Sequence, residues 1–163
     1  MKSLLLALLL VAPSALALDV AMDQPINAEN VLRLMNEYRA AEGLPPLRED
    51  PRLMRAAEDR MRHMEELGYW SHQSPDGMSP FVWLAARDYT YRTAGENLAN
   101  GFETPQVLVE SWMESPGHRA NILGSQYEDV GIAIIDGSTT HPAAGKSVVV
   151  LFASNDSSLR ATK

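Results

Sequence analysis

The 163-residue chain carries 14 basic and 21 acidic side chains, a formal charge of −7 at neutral pH, and no cysteine. That surface repels a polyanion, which excludes nucleic acid as a partner class, and no disulfide can staple the fold. Any bound metal must use nitrogen and oxygen donors.

The chain opens MKSLLLALLLVAPSALA, with one Lys, an apolar run from Leu4 to Ala12, then Ala15, Leu16 and Ala17 in the small-x-small pattern of a leader cleavage site. The run is far short of the roughly 20 apolar residues that a membrane-crossing helix needs. Residues 1–17 therefore read as a signal peptide, 18–25 as a lead-in, 26–154 as one domain and 155–163 as a flexible tail. The expected protein is secreted or periplasmic, with no transmembrane span after cleavage.

Within the domain, Asn27 is a predicted cap for a helix running to about Glu42, because Val31, Leu34, Met35, Tyr38 and Ala41 recur at helical spacing, and Gly43 supplies the stop. Leu44 to Leu47 must be extended around its two prolines. Asp50 and Pro51 open a second helix with a buried stripe of Leu53, Ala57, Met61 and Met64, ending at Gly68. Ser79 and Pro80 start a short helix through Phe81, Leu84 and Ala85. Thr104 and Pro105 start another through Val107, Leu108 and Trp112, and Ser115 and Pro116 a brief turn carrying His118, Ile122 and Leu123.

The last third changes period. Val130 to Ile135 alternates and Ser147 to Ala153 is nearly all apolar, so both read as strands joined through Gly137 to Gly145 as an antiparallel hairpin. Thr90 to Thr93 would add a short third strand. Helices first and a strand pair last predict an α+β domain, a small antiparallel sheet covered by helices.

Four histidines sit in different settings. His63, between charged neighbours, and His141, beside Pro142, read as solvated. His72 lies on a loop between Tyr69, Trp70 and the turn formers Pro75 to Gly77, where the local sequence favours a hydrogen-bonded turn residue over a site. His118 falls in the first turn of its helix, where the positive end of the dipole disfavours imidazolium and leaves a ring able to accept a proton or bind metal. Glu96, between Gly95 and Asn97, is either a backbone-capping acid or a buried carboxylate in need of partners. Glu110 and Glu114 share a helix face directly before the His118 turn, and at least one of them reads as solvated. No H-E-x-x-H, phosphate loop, G-x-S-x-G elbow or cysteine nucleophile is present.

Gly68 to Gly77 (GYWSHQSPDG), Gly95 to Ala99 (GENLA) and Trp112 to Leu123 (WMESPGHRANIL), preceded by Gly43 to Leu47 (GLPPL) and by Asn36, Tyr38 and Arg39, resemble the CAP domain of cysteine-rich secretory proteins, insect venom antigens and plant pathogenesis-related proteins, in its bacterial branch. The resemblance covers roughly Ile26 to Ala153 and implies an α-β-α sandwich. It also implies a cleft with two histidines, here His72 and His118, and a first acid, Glu96, where some members bind zinc or another divalent ion. The family's second acid falls on Ser115 in this chain. Glu114 stands one place earlier, turned by about 100 degrees on a helix.

Three functions follow as expectations. The first is a binding or interaction module whose cleft, lined by His72, Glu96, His118, Glu114 and Ser115, takes a lipid, glycan or peptide of the envelope or exterior. The second is a hydrolase in which a divalent metal on His72 and His118 activates water, with Glu96 as base. The third is a polar cluster that only stiffens the domain.

Overall fold

The computed structural model describes residues 24–138 and 145–156. The leader, most of the lead-in, His141 and the last seven residues lie outside the described residues.

Helix α1 (Ala28–Ala41) begins at Asn27, whose side chain accepts the Asn30 N–H at 2.8 Å, and stops before Gly43 at φ 69°. A two-residue strand β1 (Arg48–Glu49) follows. Helix α2 (Pro51–Leu67) is capped by Asp50 and ended by a left-handed Gly68. Next come the short helix α3 (Val82–Ala86), strand β2 (Tyr91–Phe102), helix α4 (Pro105–Glu114) capped by Thr104, and helix α5 (Pro116–Ile122). Strands β3 (Asp129–Asp136) and β4 (Lys146–Asn155) complete the domain.

The sheet order is β1-β3-β4-β2, antiparallel except for the parallel β1–β3 pair. Alternate residues of β4 feed two cores. Val148, Val150 and Phe152 pack with α1, α4 and α5 around Met35, Leu108 and Trp112, while Val149, Leu151 and Ala153 pack with α2 and α3 around Leu53, Met64 and Leu84. The domain is thus a three-layer α-β-α sandwich, as expected.

Three expectations change. The short strand at Thr90 to Thr93 is instead the start of a twelve-residue edge strand, so Glu96 sits mid-strand beside a buried Gly95. Strand β4 runs to Asn155, and the Asp156 N–H bonds Thr90 O at 3.0 Å, which carries ordered chain past the expected domain end. His63 is not solvated: its ring packs on Tyr69 and Trp83, with centroids 5.6 and 5.0 Å away.

Three close fits hold the layers. Arg39, fully buried in α1, donates to the carbonyls of Pro45, Ile122, Gly124 and Tyr127 at 2.8 to 3.2 Å, which fixes the C-terminal end of α5. Asn36 clamps Leu47 through both its N–H and its carbonyl. Gly131 in β3 lets α2 rest directly on the sheet, since a β-carbon there would lie 2.1 Å from the Leu53 carbonyl. Gly131→Ala should therefore cost about 3 kcal/mol, the upper end of overpacking, seen as a lower urea midpoint with an unchanged slope.

Candidate functional site at the outer edge of the sheet

Strand β2 has β4 on one side only, and its free edge is closed by side chains from α4 and α5. Trp112 Nε1 donates to Leu98 O at 3.2 Å, and Asn121 Nδ2 donates to Glu96 O at 3.1 Å and to Asn97 Oδ1 at 2.9 Å. Asn97 in turn donates to the carbonyl of His118 at 3.1 Å. Gly95 must be glycine here, because a β-carbon would meet Asn121 Oδ1 and the Tyr127 hydroxyl, each at 2.7 Å.

Successive β2 residues face opposite layers. Asn97 turns to α5, while Glu96 turns to α2, where its side chain is only 2 % exposed. Glu96 Oε2 accepts from Arg60 Nε at 2.8 Å, and Glu96 Oε1 pairs with His72 Nδ1 at 2.8 Å. Arg60 also reaches the Tyr69 hydroxyl and the carbonyls of Ser71 and His72. The Tyr69 hydroxyl also pairs with His63 Nδ1, 2.6 Å away. A continuous polar chain therefore runs His63–Tyr69–Arg60–Glu96–His72.

A cleft of about 540 Å³ opens over this edge, lined by His72, Gln73, Gly77, Ser79, Pro80, Phe81, Gly95, Glu96 and Asn121. The His72 side chain is 59 % exposed into it, with Nδ1 committed to Glu96 and Nε2 left for a visitor. His118 lies one turn before Asn121 on α5, half-buried, its ring 6.4 Å from Trp112. Glu114 is exposed and stands outside the cleft lining, as does Ser115, which occupies the cap position of α5 without a side-chain bond. Glu110 is exposed on the same face as Glu114. A second hollow, about 620 Å³ between α1, α2 and β3, holds none of the predicted residues.

Sequence reasoning missed Arg60, Asn97 and Asn121. Arg60 could have been found, because it falls seven residues after Leu53 on the buried stripe of α2, where a charge demands a partner.

The donor set offers a metal no free carboxylate. Both Glu96 oxygens are already engaged, one by a guanidinium, and the second acid position holds Ser115. Among the described residues no three His, Cys, Asp or Glu side chains gather as ligands.

The bond to Glu96 lifts the His72 imidazole above its ordinary 6.5, against burial and the nearby Arg60 charge. Burial, reinforced by the charge on His72, holds His118 below the same value. Between pH 6.5 and its raised midpoint, His72 keeps more protons in the folded than in the unfolded chain. The stability it contributes is full below 6.5 and is lost as pH rises through that midpoint. His118 has the opposite sign, since the fold resists its protonation and loses stability as pH falls below 6.5 toward the depressed midpoint. An NMR titration should show the two rings moving apart in this way, and Glu96→Gln should bring His72 back toward 6.5. A His72 curve indifferent to that substitution would mean the pair does not form in solution.

The layered sandwich with a histidine-bearing cleft at its sheet edge defines the class of protein. The chain belongs to the cysteine-rich secretory protein (CAP) family, whose model matches residues 32–150. The uncharacterized protein YkwD of Bacillus subtilis (strain 168) is 38% identical over 108 residues, covering 66% of this chain and 42% of that protein. The chain thus spans less than half of that relative's length. Among solved structures, an extracellular protein containing an SCP domain from Bacillus anthracis superposes with a TM-score of 0.65 at 24% identity, over 83% of this chain and 40% of that one. An outer surface protein from Borrelia burgdorferi gives 0.67 at 22% identity, over 83% of this chain and 100% of that one. At those identities the likeness establishes the fold alone.

Proposed function

We propose that this protein is a secreted or periplasmic binding module whose cleft at the β2 edge captures a lipid, glycan or peptide of the cell envelope or exterior. The observation that carries this reading is the exposed His72 imidazole, fixed through Nδ1 by a buried carboxylate and projecting into a cleft of about 540 Å³. Such a ring offers one oriented polar atom without rotamer freedom to lose, which is how a site gains affinity from preorganisation. Phe81 and Pro80 supply an apolar wall, and Gln73, Ser79 and Asn121 supply hydrogen-bonding partners. That mixture suits a ligand with both polar groups and an apolar face.

Location outside the cytoplasm is supported by the leader pattern of residues 1–17 and by two relatives of the same fold described as extracellular and outer-surface proteins. No described helix is long and apolar enough to cross a membrane. Hydrolysis is the weaker reading, because a general base needs a free oxygen and Glu96 has given both of its own to Arg60 and His72.

Native mass spectrometry of the freshly exported protein should reveal a co-purified mass. Phe81→Ala should weaken its retention about tenfold or more with the melting point little changed, and His72→Ala should weaken it as much while also lowering the melting point, because it leaves a buried Glu96 oxygen without its donor. Empty spectra from the wild type in several preparations would remove the binding reading. A protein that melts early on His72→Ala, with no ligand at any stage, would point to the purely structural cluster.

A further inference from the structure

His72 and Glu96 line the cleft while His118, on α5, is not among its lining residues, and the acid that a divalent ion would use faces a cation that belongs to the chain itself. We propose that the Arg60 guanidinium takes the place of a divalent metal in this cleft, occupying the Glu96 oxygen that an ion held by His72 and His118 would need. The site is therefore built to receive its ligand without a metal.

Four observations carry this. The Arg60 and Glu96 side chains are 1 % and 2 % exposed, and Nε sits 2.8 Å from Oε2, so the pair is closed to solvent. Arg60 is held in place, since its remaining nitrogens bond the Tyr69 hydroxyl and the Ser71 and His72 carbonyls, and withdrawing would break all three part-buried contacts as well as the ion pair. The other Glu96 oxygen is taken by His72 Nδ1, so Glu96 has no oxygen left for an ion on the free Nε2 of that ring. Finally, Ser115 stands at the second acid position and Glu114 is exposed, so no further carboxylate among the described cleft residues offsets the charge of an incoming ion.

The guanidinium also does something a metal ion would do in such a site. By holding the His72 carbonyl at 3.1 Å while Glu96 holds the His72 ring, it fixes both ends of that residue from the helix that packs on the same face of the strand. Arg60 is thus a positioning residue for His72, acting through backbone and carboxylate together.

The inference rests on the cleft reading above, but it fails separately. Zinc chloride titrated into the full exported chain, followed by calorimetry and by the His72 and His118 imidazole resonances, is the direct test. The wild type should show no one-to-one zinc binding and unmoved resonances. Arg60→Gln, which keeps hydrogen-bond donors but loses the charge, and Arg60→Met should each bind one zinc at least about tenfold more tightly, and adding Glu96→Gln should cancel the gain. Arg60→Lys, which retains a cation, should stay like the wild type. Stoichiometric zinc on the wild type that is lost in Glu96→Gln overturns the proposal, as does a folded Arg60→Gln protein with no gain. Should both neutral variants fail to fold, the wild-type resonances decide: unmoved at equimolar zinc they support it, and shifted through a Glu96-dependent site they refute it. Either result leaves the co-purified ligand of the cleft to be judged by its own spectra.

Discussion

Burying a carboxylate costs several kcal/mol unless each oxygen is met by a donor of suitable charge and geometry. Glu96 is buried in the middle of an edge strand, and what surrounds it is arranged to meet that demand. Arg60 comes from the helix packed beneath the strand, and His72 comes from the loop that leaves the same helix. Because both partners derive from the α2 end of the chain, satisfying one carboxylate also decides where the 68–77 loop must lie. The polar cluster of the cleft is therefore a packing requirement before it is a chemical one.

A second demand comes from the strand itself. An edge strand presents a row of unpaired backbone groups, and natural proteins cover such edges or blunt them. Here Trp112 and Asn121 cap the Leu98 and Glu96 carbonyls, and Asn97 returns the favour by holding the His118 carbonyl. The three sequence segments that carry the family likeness are thus joined by hydrogen bonds across the sheet edge. His72 approaches this edge from the α2 face and His118 from the α5 face, near enough across 46 positions of sequence for the His72 charge to reach His118.

Much of this was legible in the residues, and what was not has a physical reason. Asn27, Asp50 and Thr104 announce helix starts through local hydrogen bonds, with Pro51 and Pro105 just inside, so short-range chemistry sufficed. Strand β2 was nearly invisible because YRTAGENLANGF contains two glycines, two asparagines and a glutamate, poor strand formers that are held extended by pairing with the apolar β4. Arg60 was overlooked because a stripe read for apolar residues passes over a charge lying within it. His63 was misjudged for a related reason, since its charged sequence neighbours on α2 point elsewhere while Trp83, twenty residues on, covers its ring. Partners distant in sequence are what local pattern cannot supply.

Arg39 shows how a chain without cysteine closes long loops. Its three carbonyl contacts to Ile122, Gly124 and Tyr127 span 83 to 88 positions, a separation over which a disulfide would otherwise be the usual covalent staple in oxidising surroundings. A guanidinium clasp needs no oxidant to form and no isomerase to correct it, and reductants leave it untouched. The domain can accordingly reach its native shape wherever it is delivered, independent of the local thiol balance.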